Sequence, residues 1–163
     1  MPFHAWGPDK GTKTCPVCKY GRYHGIIYFV GNHTNWDHIR KWLRFLEKVS
    51  VSRDKYLKVY FVYGNENDYQ KEARIEVLEQ LGKELCIENL ALTFVPSLND
   101  KESEVYLNRI NPEVENTIII YRQRTIIDKF INLNPSEYNF NLINSALDRT
   151  QSIYFDLSEP RNQ

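Results

Sequence analysis

An uninterrupted apolar run, Gly25 to Gly31 (GIIYFVG), and a second strand-like run, Tyr56 to Tyr63 (YLKVYFVY), dominate the chain, with an amphipathic stretch between them. An apolar run without alternation leaves no polar face for solvent, so Gly25 to Gly31 reads as a strand covered on both faces. Tyr56 to Tyr63 reads as the next strand, stopped by Gly64 and Asn65. The intervening residues Trp36, Ile39, Trp42, Leu43, Leu46 and Val49 are spaced three and four apart, which describes a helix with one buried side. Thr34 or Asn35 can cap its start. A strand, a helix and a second strand form a βαβ unit, and this unit restricts the chain to the α/β class.

The remaining elements follow in the same way. Asn67 or Asp68 starts a helix with Ala73, Val77, Leu78, Leu81 and Leu85 on its stripe, and Leu90 to Val95 is a third strand ended by Pro96. A shorter helix is expected from about Lys101 to Arg109. Thr117 to Tyr121 and Thr125 to Ile131 flank a short polar turn and read as a hairpin. Asn134 to Glu137 opens a last helix carrying Tyr138, Leu142, Ile143, Ala146 and Leu147, with proline in the first turn. The predicted order is β-α-β-α-β-α-β-β-α around a mixed sheet. Residues 1–24 read as an arm, 25–148 as one domain, and 149–163 as a polar tail with an apolar patch at Ile153 to Phe155.

At 163 residues the chain has enough length for a full core without staples. Lys plus Arg equals Asp plus Glu, 21 of each, so no net field favours nucleic acid. No run reaches the length of a membrane span, and the composition is that of a soluble globular protein. The start of the chain carries no signal-peptide pattern, which leaves both a cytoplasmic and an exported, processed protein open. No carboxylate pair suggests acid–base hydrolysis, and no glycine-rich phosphate loop is present.

The order of elements resembles the thioredoxin-like fold, in the elaborated form shared by peroxiredoxins, cytochrome-maturation thiol oxidoreductases and Sco-type copper chaperones. Tyr69 to Val95 stands where those families insert a helix and a strand. Leu90 to Asp100 (LALTFVPSLND) resembles the strand and loop before their third helix, and Asn116 to Phe130 (NTIIIYRQRTIIDKF) resembles their closing hairpin. The resemblance covers residues 25–148 and implies a three-layer sandwich. It also implies a reactive cysteine at the start of the first core helix. The matching positions hold Asn32, His33, Thr34, Asn35 and Trp36, so peroxidase chemistry has no nucleophile there. The proline that packs beside the family's dithiol is missing too, because its position falls near Glu115 and Asn116.

A C-x-x-C pair is present elsewhere. Cys15 and Cys18 lie upstream of the first core strand, with Cys18 seven residues before Gly25. That linker spans about 23 Å when extended, and a six-residue strand is only about 20 Å long. The arm can therefore double back along the sheet, or leave the pair at its far edge. Several readings of the pair stay open. Cys15 and Cys18 can cycle with a disulfide in a protein partner, with Lys13, Lys19 and Arg22 favouring the thiolate. They can form a structural disulfide in a binding module that docks a partner through the Trp36–Trp42 helix or a sheet edge. They can bind copper or zinc with His4, His24 or His33, although exchange chemistry itself needs no cofactor. The last alternative is a reduced pair without function. His33 and His38 read as solvated or capping residues, Glu113, Glu115 and Asp128 as solvated or turn residues, and Cys86 as a small buried hydrophobe.

Overall fold

The computed structural model describes residues 1–20, 24–53 and 56–155. Its core is a six-stranded mixed sheet with strand order β1-β4-β3-β2-β5-β6. The strands are β1 (Phe3–Trp6), β2 (His24–Val30), β3 (Leu57–Tyr63), β4 (Ala91–Phe94), β5 (Thr117–Arg122) and β6 (Thr125–Ile131). The helices are α1 (Pro16–Tyr20), α2 (Trp36–Ser52), α3 (Lys71–Glu84) and α4 (Glu137–Phe155). Strands β2, β3 and β4 run parallel, and β5 lies antiparallel to β2. This is the α/β, thioredoxin-like sandwich that the element order implied.

Every residue of β2 is buried, and six of seven in β3, because both lie inside the sheet with both faces covered. Side chains alternate between faces. Ile26, Tyr28 and Val30 meet the inner sides of α2, α3 and α4, whereas Ile27 and Phe29 belong to a second cluster on the other face. That second face has no long helix. It is covered by Val95, Leu98, Val105 and Ile110 from the loop after β4, together with Val17 from α1.

The structure differs from the sequence expectations at several elements. The arm contributes β1, which pairs antiparallel with β4. Four residues interrupted by a histidine give no periodic signal, and the strand depends on contacts from outside it. The buried His4 ring lies 3.0 Å from the Pro8 carbonyl and 3.3 Å from that of Thr14. The Trp6 indole donates to Ile87 O at 2.8 Å and fills the space that a side chain at Gly82 would occupy. Trp6 thereby selects the face of α3 that is buried. Leu78, Leu81 and Gly82 turn inward, while Ala73 and Val77 are exposed. The helix also starts later than expected, with Gln70 as its N-cap rather than Asn67 or Asp68.

The helix expected from Lys101 to Arg109 is a single 3-10 turn, Val105–Asn108, flanked by left-handed residues Glu104 and Arg109. Cys86 is exposed rather than buried. Its backbone takes φ +51° just after the end of α3, which turns the thiol out to solvent. In α4 the inward residues are Phe140, Ile143, Ala146, Leu147 and Thr150, whereas Tyr138 and Leu142 face solvent. The helix runs on to Phe155, into the expected tail; the side chains of its apolar patch, like residues 156–163, lie outside the described residues. Among the described residues no helix is long and apolar enough to cross a membrane.

Candidate functional site

Two separate places bear on chemistry: the dithiol, and the end of the sheet where the resemblance puts a reactive cysteine. Cys15 and Cys18 are joined by a disulfide, with their Cα atoms 5.2 Å apart. The local fold explains the approach. Cys15 precedes the one-turn helix α1, its carbonyl accepts from Lys19 N, and its Sγ accepts from Cys18 N–H at 3.2 Å. Thiols three residues apart on one helical turn are neighbours. Cys15 is half-buried and Cys18 is exposed.

The arm does double back along the sheet, on the face opposite α2. Both cysteines line a cavity of about 330 Å³ whose apolar wall is Val17, Ile27, Phe29, Val62, Val105 and Leu107. Ile27 and Phe29 point away from α2, which packs on Ile26, Tyr28 and Val30. The sheet therefore separates the dithiol from α2, and the dipole of that helix cannot stabilise a thiolate at Cys15 or Cys18. Of the cations expected nearby, Lys19 binds Asp9 at 2.5 Å, and Arg22 lies outside the described residues.

The metal candidates are not brought together. His24 lies on the α2 face, where Nε2 is 2.6 Å from Thr150 Oγ1. Burial, with smaller contributions from the Arg53 and Arg122 guanidiniums, pushes its pKa down to about 4. His33 sits beyond the far end of β2, and both ring nitrogens of His4 face carbonyls. Among the described residues no group of three or more His, Cys, Asp or Glu side chains is arranged to hold a metal. Bonded to each other, the two sulfurs are not thiolate ligands, and among the described residues no third donor is grouped with them.

At the usual end of the sheet the structure holds a polar cluster that the sequence did not reveal. Asn32 Nδ2 donates to Glu66 and Glu113 at 3.0 and 2.7 Å, and His33 Nε2 lies 2.9 Å from Glu113. The hydrogen bond from Asn32, then that from His33, holds the Glu113 carboxyl below its ordinary range. His38 pairs with Glu115. Both histidines and both glutamates have partners, because segment 111–116 folds against Gly31. His33 and Glu113 remain solvent-exposed, as the solvated reading has them, while His38 and Glu115 are half-buried. A side chain at Gly31 would meet the Pro112 carbonyl, which accepts from Asn32 N at 2.8 Å. The sequence separation of about 80 residues hides these contacts. Asp128 is likewise paired, with Arg149 at 3.0 Å.

Trp42 is completely buried, while Trp36 is half-buried and edge-on to Tyr63, with ring centroids 5.3 Å apart. Tyr63 reaches Thr34 Oγ1 at 3.0 Å. Tyr121 lies across Gly25, where any side chain would overlap its ring. Burial raises its phenol above the ordinary tyrosine range.

No family model matches the chain, and no curated protein matches it in sequence. Solved structures do. An uncharacterized conserved protein from Geobacillus kaustophilus is 16% identical, with a TM-score of 0.62 over 100% of this chain and 84% of that one. A thiol-disulfide isomerase from Corynebacterium glutamicum is 13% identical, with a TM-score of 0.57 over 92% and 90%. A secreted disulfide oxidoreductase from Mycobacterium tuberculosis is 7% identical, with a TM-score of 0.54 over 81% and 85%. At these identities the similarity is one of fold. The chain has a thioredoxin-like fold carrying a Cys15–Cys18 disulfide.

Proposed function

We propose that the chain catalyses thiol–disulfide exchange with protein partners through Cys15 and Cys18. The supporting observation is an accessible C-x-x-C disulfide set beside an apolar cavity, on a fold shared with thiol-disulfide oxidoreductases. A partner thiolate attacks one sulfur, the other leaves as a thiolate, and the partner's second thiol resolves the mixed disulfide. The protein gains two electrons and two protons, and the partner loses them. The reverse sequence reduces a partner disulfide.

An inert staple is the weaker reading on physical grounds. A bond between residues three apart closes a loop of only four, so loop entropy assigns it about 2 kcal/mol, and it ties no distant parts together. The arm is already held by the pairing of β1 with β4 and by Trp6 against α3. Reduction is therefore expected to lower stability by no more than about 2 kcal/mol. Denaturant titrations with and without reductant measure this, and a much larger loss would favour the staple.

The direct test is dithiothreitol-driven reduction of insulin. The wild-type protein is expected to accelerate it, and Cys15→Ser to return the rate to background. An unchanged rate in Cys15→Ser would overturn the proposal. So would a reduction potential below about −300 mV, the range of structural disulfides.

A further inference from the structure

In this dithiol the two sulfurs differ in access and in hydrogen bonding. Cys18, the second cysteine of the motif, is exposed, whereas Cys15 is half-buried. The Sγ of Cys15 accepts the Cys18 backbone N–H at 3.2 Å. A hydrogen bond donated to sulfur favours the thiolate over the thiol, which makes Cys15 the better leaving group. An attacking group needs access, and the access is at Cys18.

We propose that a client thiol forms its mixed disulfide with Cys18, while the cavity beside it takes an apolar side chain next to the client cysteine. This rests on the exchange function proposed above. The client thiolate attacks Cys18 Sγ and the Cys15–Cys18 bond breaks. Its electron pair passes to Cys15 Sγ, which is held by the Cys18 N–H. A second client thiolate then attacks the client sulfur of the mixed disulfide, and Cys18 leaves as a thiolate. One client disulfide has formed, and the protein dithiol has taken up the two electrons. In the other direction Cys18 attacks the client and Cys15 resolves.

The shape of the surroundings argues for the apolar neighbour. Val17 sits between the two cysteines in sequence and packs onto the second core cluster, so the cavity floor begins at the disulfide itself. Leu107, 63% exposed, forms the opposite lip on the 3-10 turn. Consecutive Cα atoms lie about 3.8 Å apart, so a residue flanking the bonded client cysteine is necessarily at this wall. The volume of about 330 Å³ suits one such side chain rather than a folded surface. The rim adds Glu104 beside the Met1 ammonium, so it is the apolar wall that disfavours an acidic flanking residue.

Reduced Cys15→Ser and Cys18→Ser proteins can be compared against two short peptides whose cysteine carries a thionitrobenzoate leaving group. One peptide flanks the cysteine with leucine, the other with aspartate. Cys15→Ser, which retains Cys18, is expected to react about tenfold faster than Cys18→Ser. It should favour the leucine peptide by about tenfold, the scale on which apolar pockets discriminate. Leu107→Asp in the Cys15→Ser background should bring that preference below about twofold. Acid quenching and mass spectrometry of the wild-type intermediate should find the client on Cys18. Faster reaction at Cys15, client on Cys15, or equal rates for the two peptides would overturn the inference. Wild-type protein inactive with insulin would instead overturn the exchange function on which it rests.

Discussion

Trp42→Ala lowers the free energy of unfolding by about 3–5 kcal/mol, the expected cost of emptying the largest fully buried side chain in the core. Its ring contacts Tyr28 of β2, Phe45 of α2 and Phe140 of α4, with centroids 6.2, 5.9 and 5.1 Å away. Its indole N–H donates to Leu133 O at 3.1 Å, just after β6. One side chain therefore joins the central strand, the first core helix and the last helix. Trp42→Phe is expected to cost less, about 1–2 kcal/mol. It keeps much of the aromatic volume, and the Leu133 carbonyl keeps its second donor, Asn116 Nδ2, at 2.8 Å. Chemical denaturation of the two variants gives both values. A loss below about 1 kcal/mol for Trp42→Ala would contradict this packing.

Stability falls as the solution is acidified from pH 6.5 to pH 4, and His24 accounts for about 3 kcal/mol of the fall. The ring is 2% exposed, beside Thr150 and within the fields of Arg53 and Arg122. Burial, assisted by those cations, takes its pKa down to about 4 from an ordinary 6.5. Above pH 6.5 the imidazole is neutral in both states and contributes no slope. Between 6.5 and 4 the unfolded chain binds a proton that the folded protein does not, so each step down in pH favours unfolding. Below about pH 4 both states are protonated and the slope from this residue vanishes. Carboxylates titrate in the lower part of this window, so the measurement is a difference. His24→Gln should flatten the unfolding free energy between pH 6.5 and 4.5 relative to wild type. Parallel pH profiles for the two proteins would show that His24 is not held neutral.

The parts of the fold that were legible in sequence are those carried by local pattern. The covered strands β2 and β3, the stripe of α2 and the β5–β6 hairpin were each marked by residue periodicity or by turn residues. Gln123 and Arg124 both take positive φ, 49° and 65°, as a two-residue hairpin turn requires. Asn35 caps α2, with its side chain accepting from His38 N. Elements whose form depends on a distant partner were misread. Strand β1 needs β4 beside it and Gly82 beneath Trp6. The buried face of α3 follows from the same tryptophan, and Cys86 is exposed by a left-handed backbone that no spacing announces.

The dithiol shows the same division. The sequence determined that a C-x-x-C exists, that it precedes the first core strand, and that no cysteine stands between Asn32 and Trp36. The linker length allowed the arm to lie along the sheet without fixing which face. Only the tertiary structure decided that Cys15 and Cys18 lie opposite α2, over Ile27 and Phe29, with Cys18 outermost. Likewise it alone paired His33 and His38 with Glu113 and Glu115 at the end of the sheet. The reason is physical: thiols three residues apart are brought together by one backbone turn. The side of the sheet they occupy is set by β1 pairing with β4 and by the apolar surface left open between α1 and the 3-10 turn. Those contacts span the length of the chain, and no local stretch encodes them.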